Sequence, residues 1–261
     1  MTTKILTEVD DGVGWLTFNN PERRNAMSLE MWAGLGDAAE ALQADAAVRV
    51  VVMRGAGGKA FVSGADISEF EQHRANAEQK EAYGKIAARG QQALATMTKP
   101  LIALIEGFCI GGGLALALTA DLRFASTGSR FGIPAAKLGL GYEYAGIASL
   151  ARLVGPSAAK DILFSARFLE TDEALRLGLV NAVFEPAHIE ARVREYALRI
   201  AANAPLTVHA AKQAVRAFER YSAATDTEEV ARLVDRCFDS DDYREGRRAF
   251  LEKRTPVFKG Q

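Results

Sequence analysis

Residues 106–120 read EGFCIGGGLALALTA and join a strand-like run to an alanine-rich helix through three consecutive glycines. The preceding apolar run, PLIALI (100–105), predicts a buried strand. Glycines let other groups approach the backbone closely, and the first turn of a helix has unpaired N–H groups of positive dipole character. The segment therefore predicts either a site for an anionic oxygen or a tight, buried strand-to-helix turn.

A second turn of the same kind lies upstream in AFVSGADI (60–67). Small residues again follow a short strand and precede a predicted helix, whose first turn carries Asp66 and Glu69. Two such turns facing each other would supply two N–H donors to one oxygen. The order of residues does not establish whether they face each other.

The pattern along the chain predicts an α/β fold with a helical C-terminal part. Strands alternate with helices over residues 1–187, and only helices follow in 188–261. The predicted elements are a hairpin over 5–18, a helix capped by Ser28, strands over 48–53 and 100–105, a helix over 76–96, two helices on either side of Pro156, a helix capped by Thr171 and a strand over 179–184. The helix after Ser28 carries one apolar stripe that predicts its core face: Leu29, Trp32, Leu35 and Leu42.

Composition excludes several classes of protein. The chain has 261 residues with 32 basic and 33 acidic side chains, a net charge of −1, which argues against a nucleic-acid partner. The N-terminal residues MTTKI lack an apolar signal core, no uncharged apolar run reaches the length of a membrane span, and Cys109 and Cys237 form no C-x-x-C pair. We expect a cytoplasmic protein. His73, His188 and His209 lack the spacing of metal ligands, so no metal is expected.

With these pieces in place, the sequence resembles the crotonase superfamily, that is, the enoyl-CoA hydratase/isomerase family, over essentially its whole length. The motifs that carry the resemblance are NxP…NA (19–26), AFxxGADI (60–67), GxxxGGG (107–113), DLRFA (121–125), FGxP (131–134) and EGxxAFLEKRxPxF (245–258). The resemblance implies a core built as a spiral of ββα units and C-terminal helices that form homotrimers or dimers of trimers. It also implies a coenzyme A thioester as substrate, with no separate cofactor.

The resemblance also implies roles for individual residues. In this family two backbone N–H groups form an oxyanion hole, and the matching positions are Ala65 and Gly112. Five further positions match those near the nucleotide part of coenzyme A: Arg24, Ala26, Asp66, Ile67 and Lys253. For the two cations among them, the alternative is an ordinary solvated surface side chain.

The chain departs from the family where hydratases carry two glutamates that position and activate water. The matching positions are Ala115 and Ala135, and a methyl group transfers no proton. The resemblance therefore excludes the standard addition of water by two glutamates.

One carboxylate remains nearby, on Glu143, where dienoyl-CoA isomerase-like relatives carry an acid/base aspartate and chlorobenzoyl-CoA dehalogenase-like relatives a nucleophilic one. The neighbouring Tyr142 falls where methylmalonyl-CoA decarboxylase-like relatives carry an active-site tyrosine. The alternatives are a solvated first-turn acid for Glu143 and a core aromatic for Tyr142.

Three functions follow from these positions. The first is acyl-CoA chemistry of the hydratase/isomerase type through a thioester enolate, with Glu143 as the single acid/base. The second is decarboxylation of a malonyl-type CoA ester, which needs no base to form the enolate. The third is an acyl-CoA-binding protein without catalytic activity.

Overall fold

A computed structural model describes residues 2–69, 76–220, 235 and 238–257. The strands are β1 Ile5–Asp10, β2 Val13–Phe18, β3 Val50–Gly55, β4 Ala60–Val62, β5 Leu101–Ile105, β6 Phe108–Ile110, β7 Leu122–Ser126, β8 Arg130–Gly132, β9 Leu169–Glu170 and β10 Ala182–Phe184. The helices are α1 Leu29–Ala44, α2 Ala77–Thr96, α3 Gly112–Ala117, α4 Tyr144–Ser165, α5 Thr171–Arg176, α6 Ile189–Ala201, α7 Pro205–Arg220 and α8 Asp241–Leu251. Short 3-10 helices lie at Pro21–Arg23, Ile67–Glu69 and Pro134–Leu138.

The strands form two sheets that the chain visits in alternation. One sheet has the order β1-β2-β3-β5-β7-β10 and the other the order β4-β6-β8-β9. From β3 to β8 each successive strand changes sheet, and within each sheet these strands are parallel. Each turn of the chain thus adds one strand to each sheet before the chain continues. The predicted α/β spiral of ββα units is confirmed.

The apolar run over 100–105 does not lead directly into the glycine turn. It ends as β5 at Ile105, and the chain changes sheet at Gly107, where φ is +65° and a Cβ would lie 2.0 Å from the Lys59 carbonyl oxygen. The three residues of β6 then precede the turn. The sequence prediction missed β6 because three residues are too few for an alternating pattern.

Helix α1 packs its apolar stripe into the core as predicted. The Ser28 side chain caps it by accepting a hydrogen bond from the Met31 N–H at 3.2 Å. Trp32, Leu35 and Leu42 on this helix are buried, and α2 packs alongside. Helix α2 begins after Asn76, whose side chain accepts a hydrogen bond from the Gln79 N–H at 2.9 Å. Helix α1 therefore packs on β1 and β2 of the six-stranded sheet, and α2 packs on α1.

The C-terminal helices make different contacts. Helix α6 buries Ile189 and Val193 against side chains of the six-stranded sheet, including Trp15 and Phe124. Helix α8 packs on the 3-10 helix Pro134–Leu138. The division into residues 1–187 and 188–261 stays a prediction. Among the helices that the structure describes, none is long and apolar enough to cross a membrane.

Three predicted helix and strand boundaries can be compared with the structure. Helix α4 breaks at Gly155, where φ is +79°, so the two helices predicted around Pro156 are present as two segments. Thr171 does not cap α5. Thr171 is the first helical residue, and its buried hydroxyl donates to the Ser129 carbonyl at 3.1 Å; Glu170 occupies the N-cap position without a side-chain capping hydrogen bond. The last strand begins at Ala182, because Leu179 instead donates its N–H to the Ala174 carbonyl at 2.9 Å.

The packing of α3 on β4 generates a prediction about Gly113. A Cβ at Gly113 would lie 2.0 Å from the Val62 carbonyl oxygen, which is backbone and cannot move aside. We expect Gly113→Ala to lower the free energy of unfolding by more than about 3 kcal/mol or to prevent folding, because overpacking against backbone exceeds the usual cost of about 1–3 kcal/mol. Urea unfolding followed by circular dichroism measures it.

The matched control is Gly84→Ala in α2, where a Cβ meets nothing within 4 Å. Alanine favours a helix over glycine by about 1 kcal/mol, so this variant should be as stable as the wild type or more so. Equal unfolding midpoints for both variants would contradict the required contact between α3 and β4.

Candidate active site

The two glycine-rich turns predicted from the sequence meet in the structure. Strands β4 and β6 are parallel neighbours, with Val62 paired to Cys109, so their carboxyl ends lie at the same edge of the sheet. Ala65 follows β4 and Gly112 follows β6. A Cβ built at Gly112 would lie 3.9 Å from the Ala65 nitrogen. The two backbone N–H groups therefore border one small space.

Hydrogen bonds hold the neighbours of both donors. The Met27 N–H donates to the Gly64 carbonyl at 2.8 Å, and the Asp66 N–H donates to the Met27 carbonyl at 2.9 Å. The Gly111 N–H donates to the Gly132 carbonyl at 2.8 Å. Within residues 2–69, 76–220, 235 and 238–257, no backbone carbonyl accepts from the N–H of Ala65 or of Gly112. The arrangement suits an oxygen acceptor supplied by a ligand.

Both turns open into a cavity of about 610 Å³. Its wall includes Ala65 and Gly112 together with Tyr142 and Glu143, which lie at the start of α4. The structure thus brings together the four residues that the sequence predicted as catalytic. A cavity of this size is in the range that binds small molecules and cofactors.

Tyr142 and Glu143 have different surroundings. The Tyr142 hydroxyl donates to the Gly111 carbonyl at 3.0 Å, which ties the phenol to the glycine turn. Glu143 occupies the N-cap position of α4, and its side chain is exposed at the cavity. Among the described residues that line the cavity, Glu143 carries the one carboxylate. Proton transfer by a carboxylate at this cavity thus has one candidate among the described lining residues.

Ala115 and Ala135 also line the cavity. Ala115 lies in α3, three residues after Gly112, and Ala135 follows Pro134 in the 3-10 helix. Both positions therefore border the space where the resemblance expects hydratase glutamates, and both present a methyl group. The chemistry available there is apolar contact.

Only some of the residues predicted near the nucleotide part of coenzyme A line the cavity. Arg24 lines the cavity with its guanidinium 5.1 Å from the centre of the Phe108 ring, and Ile67 lines it as well. The Asp66 carboxylate accepts hydrogen bonds from the Ser68 N–H at 3.0 Å and hydroxyl at 2.6 Å, so it caps the short 3-10 helix. Residues Ile67–Glu69 form a 3-10 turn, and the continuation of the predicted helix past Glu69 falls on residues 70–75, which lie outside the described residues.

The remaining two positions do not reach the cavity wall. Ala26 adjoins the buried bridge between Met27 and Ala65. Lys253 is exposed beyond the end of α8, with φ of +55°. Their roles in binding coenzyme A stay predictions.

Sequence reasoning missed several aromatic residues in the wall, among them Trp32 and Tyr83. Trp32 was predicted only as a core residue of α1, and Tyr83 was not singled out. The available signal was their position: Trp32 comes about one helical turn after the Ser28 cap, which closely follows the 19–26 motif. Tyr83 precedes the small residues Gly84, Ala87 and Ala88 on the same face of α2.

Neither the Cys109 thiol nor a metal-binding group adds to the chemistry available among the described residues. Burial raises the pKa of the Cys109 thiol, so it stays protonated and is a poor nucleophile. Among the described residues, no three His, Cys, Asp or Glu side chains form a group that could hold a metal. His73 and Cys237 lie outside the described residues.

Comparisons with known proteins give a consistent result. The family model "Enoyl-CoA hydratase/isomerase" matches residues 8–261. The short-chain-enoyl-CoA hydratase of Clostridium acetobutylicum is 34% identical over 250 residues, which cover 96% of this chain and 95% of the relative. An enoyl-CoA hydratase/carnithine racemase structure from Magnetospirillum magneticum superposes with a TM-score of 0.82 at 38% identity, covering 100% and 97% of the two chains. A methylmalonyl-CoA decarboxylase structure with 2-nitronate-propionyl-CoA superposes at 0.91 with 27% identity over 100% of both.

The space between the two N–H groups generates a prediction about Gly112. A Cβ there would make ordinary contacts, 3.7 Å from Trp32 Cζ2 and 3.9 Å from the Ala65 nitrogen, so Gly112→Ala should fold. Its methyl group would occupy the space beside the Ala65 N–H. We expect thioester turnover to fall by about 10²-fold, the scale for losing one such donor. Steady-state kinetics with matched thermal unfolding measures this effect.

The control is Ala65→Gly, which keeps the backbone N–H and removes only a methyl group. It should retain most of the turnover. If Gly112→Ala were folded and as active as wild type, the two N–H groups would not hold the reacting oxygen.

Proposed function

The chain belongs to the enoyl-CoA hydratase/isomerase family, and from this membership we propose that it moves a double bond in an enoyl-CoA through a thioester enolate. In this proposal the N–H groups of Ala65 and Gly112 hold the thioester oxygen. Glu143 acts as the single acid/base. At the coarser level the chain is a crotonase-family enzyme of acyl-CoA chemistry.

The observation that carries the proposal is the set of acids at the cavity. Ala115 and Ala135 stand where two glutamates would activate water, and Glu143 is the carboxylate among the described lining residues. Adding water across a double bond requires both an activated water and a proton donor. Moving a double bond requires one group that takes a proton and returns it elsewhere, which one carboxylate can do.

The proposed reaction balances with that one group. The Glu143 carboxylate takes a proton from the carbon next to the thioester carbonyl. The electron pair of that C–H bond delocalises onto the thioester oxygen, between the N–H groups of Ala65 and Gly112. The protonated Glu143 then returns the proton to the far carbon of the original double bond. One backbone donor to such an oxygen typically lowers the barrier by about 3–4 kcal/mol.

A second candidate is decarboxylation of a malonyl-type CoA ester. It is supported by Tyr142 at the cavity beside Gly111, and by the likeness to a methylmalonyl-CoA decarboxylase structure. Loss of CO₂ leaves the electron pair on the same carbon without a base, so the two N–H groups alone would stabilise the enolate. A proton source then completes the acyl-CoA product.

We also propose that the chain forms homotrimers or dimers of trimers. Helix α7 carries large apolar side chains that are exposed in the single chain, with Leu206 at 82% and Phe218 at 81% exposure. Exposed apolar surface of this kind typically marks a protein interface. The residues near Lys253 would then be able to meet a neighbouring chain.

Assembly is tested by light scattering after size exclusion. We expect three or six times the chain mass of 28.1 kDa for the wild type, and a shift towards the monomer for Leu206→Glu with Phe218→Glu, because two charges would enter an apolar interface. The control is Val9→Glu, an exposed apolar position on β1. A monomeric wild type would contradict this part of the proposal.

The role of Glu143 is tested by exchange of the α-protons of butyryl-CoA in D₂O, followed by NMR. We expect Glu143→Gln to slow exchange by at least about 10²-fold, because the amide cannot accept the proton. Isomerisation of a 3-enoyl-CoA should fall in parallel. The matched control is Glu8→Gln, an exposed carboxylate on β1, which should leave both rates unchanged.

The outcomes separate the candidates. Unchanged exchange in Glu143→Gln would remove Glu143 from the mechanism. No exchange with the wild type, together with CO₂ release from methylmalonyl-CoA, would select decarboxylation. Binding of acyl-CoA without either reaction would indicate a protein that binds these thioesters without turning them over.

A further inference from the structure

Two buried aromatic side chains connect to both turns of the candidate oxyanion hole. The Trp32 indole N–H donates to the Tyr83 hydroxyl at 2.9 Å, and that hydroxyl donates to the Met27 carbonyl at 3.5 Å. Trp32 is 3% and Tyr83 7% exposed. The chain of hydrogen bonds therefore runs through the interior from α1 through α2 to the peptide of Met27.

The peptide groups of Met27 set the position of Ala65. The Met27 N–H donates to the Gly64 carbonyl at 2.8 Å, and the Met27 carbonyl accepts from the Asp66 N–H at 2.9 Å. Ala65 lies between these two bonds, in an isolated parallel bridge with Met27. The Tyr83 hydroxyl and the Asp66 N–H thus share one acceptor, the carbonyl oxygen that fixes one side of the Ala65 peptide.

The same indole borders the second turn. A Cβ at Gly112 would lie 3.7 Å from Trp32 Cζ2, an ordinary van der Waals distance. One edge of Trp32 therefore packs beside Gly112 while its nitrogen connects to Tyr83 and onward to Met27. The Trp32–Tyr83 pair touches both sides of the space between the two donors.

We propose that Trp32 and Tyr83 are positioning residues, which hold the N–H of Ala65 at a fixed distance and angle from the N–H of Gly112. A buried indole N–H or hydroxyl left without a partner destabilises the fold, so the pair favours one arrangement of α1 and α2 around the turn. Stabilisation of an oxyanion depends on donors that are already in place, and small displacements reduce it strongly.

The inference rests on the proposed function, since it assumes that these two N–H groups bind a thioester oxygen. Both aromatic residues also line the cavity, so the competing interpretation is that they only provide apolar contact for the acyl group. The two interpretations predict changes in different measured quantities. Positioning changes the polarisation of the bound carbonyl, whereas apolar contact changes the affinity for the acyl group.

The experiment uses butyryl-CoA labelled with ¹³C at the thioester carbonyl, bound to the full chain and measured by difference infrared spectroscopy. For the wild type we expect a carbonyl stretch at lower frequency than in free butyryl-CoA. Tyr83→Phe keeps the ring and removes the hydroxyl. We expect it to lose at least half of that frequency shift and to lower kcat for α-proton exchange at least tenfold, with Kd for butyryl-CoA changed less than about twofold.

Two further variants keep the test decisive if Tyr83→Phe folds poorly. Trp32→Phe with Tyr83→Phe removes both partners of the buried hydrogen bond, which is less costly than leaving one unpaired, and should show the same reduced shift. Trp32→His retains a ring N–H and should restore part of the shift relative to Trp32→Phe. Tyr196→Phe on α6 is the control for loss of a distant hydroxyl.

Each result has a distinct meaning. A normal carbonyl shift in folded Tyr83→Phe and in the double variant would overturn the positioning role. So would weaker binding of butyryl-CoA with an unchanged carbonyl frequency, which would assign both residues to acyl contact. No shift in the wild type would instead contradict the proposed function, because no N–H groups would then polarise the thioester.

Discussion

The close approach of α3 to β4 is the contact on which the rest of the structure depends. Gly113 brings the helix so near to Val62 that no side chain fits between them. This contact places the start of α3 beside the turn after β4, and the parallel pairing of β4 with β6 fixes the same edge for both turns. Backbone packing therefore brings the N–H groups of Ala65 and Gly112 to the same edge of the sheet.

The sequence predicted those parts of the molecule that depend on local pattern. The hairpin, the helix capped by Ser28 and the donor turns all follow from propensity, capping and glycine chemistry within short segments. The change of sheet at Gly107 and the three-residue strand β6 were missed, because they are determined by pairing with β4 and β8. The cap assigned to Thr171 was wrong for the same reason, since its hydroxyl bonds to a carbonyl of another segment.

In the candidate site too, some residues could be predicted from the sequence and others depend on contacts between distant segments. The resemblance identified Ala65, Gly112, Tyr142 and Glu143, and the cavity contains all four. It said nothing about Trp32 and Tyr83, because their relation to the donors passes through a backbone carbonyl of a third residue, Met27. An indirect contact of that kind produces no recognisable spacing of residue types in the sequence. Lys253 shows the converse, since a motif match places it in the family pattern, whereas in the single chain it is exposed and does not line the cavity.

Backbone donors and side-chain acids respond differently to substitution, and this difference explains how such a fold can change its reaction. Almost any side chain at position 65 still supplies an N–H, whereas replacing a glutamate by alanine removes a proton carrier outright. Stabilisation of a thioester enolate therefore persists while the acids around it vary. In this chain Ala115 and Ala135 present methyl groups to the cavity, and under the proposed function proton transfer then depends on the carboxylate that remains there. Glu143 has that position because α4 begins beside the glycine turn, to which Tyr142 is hydrogen-bonded.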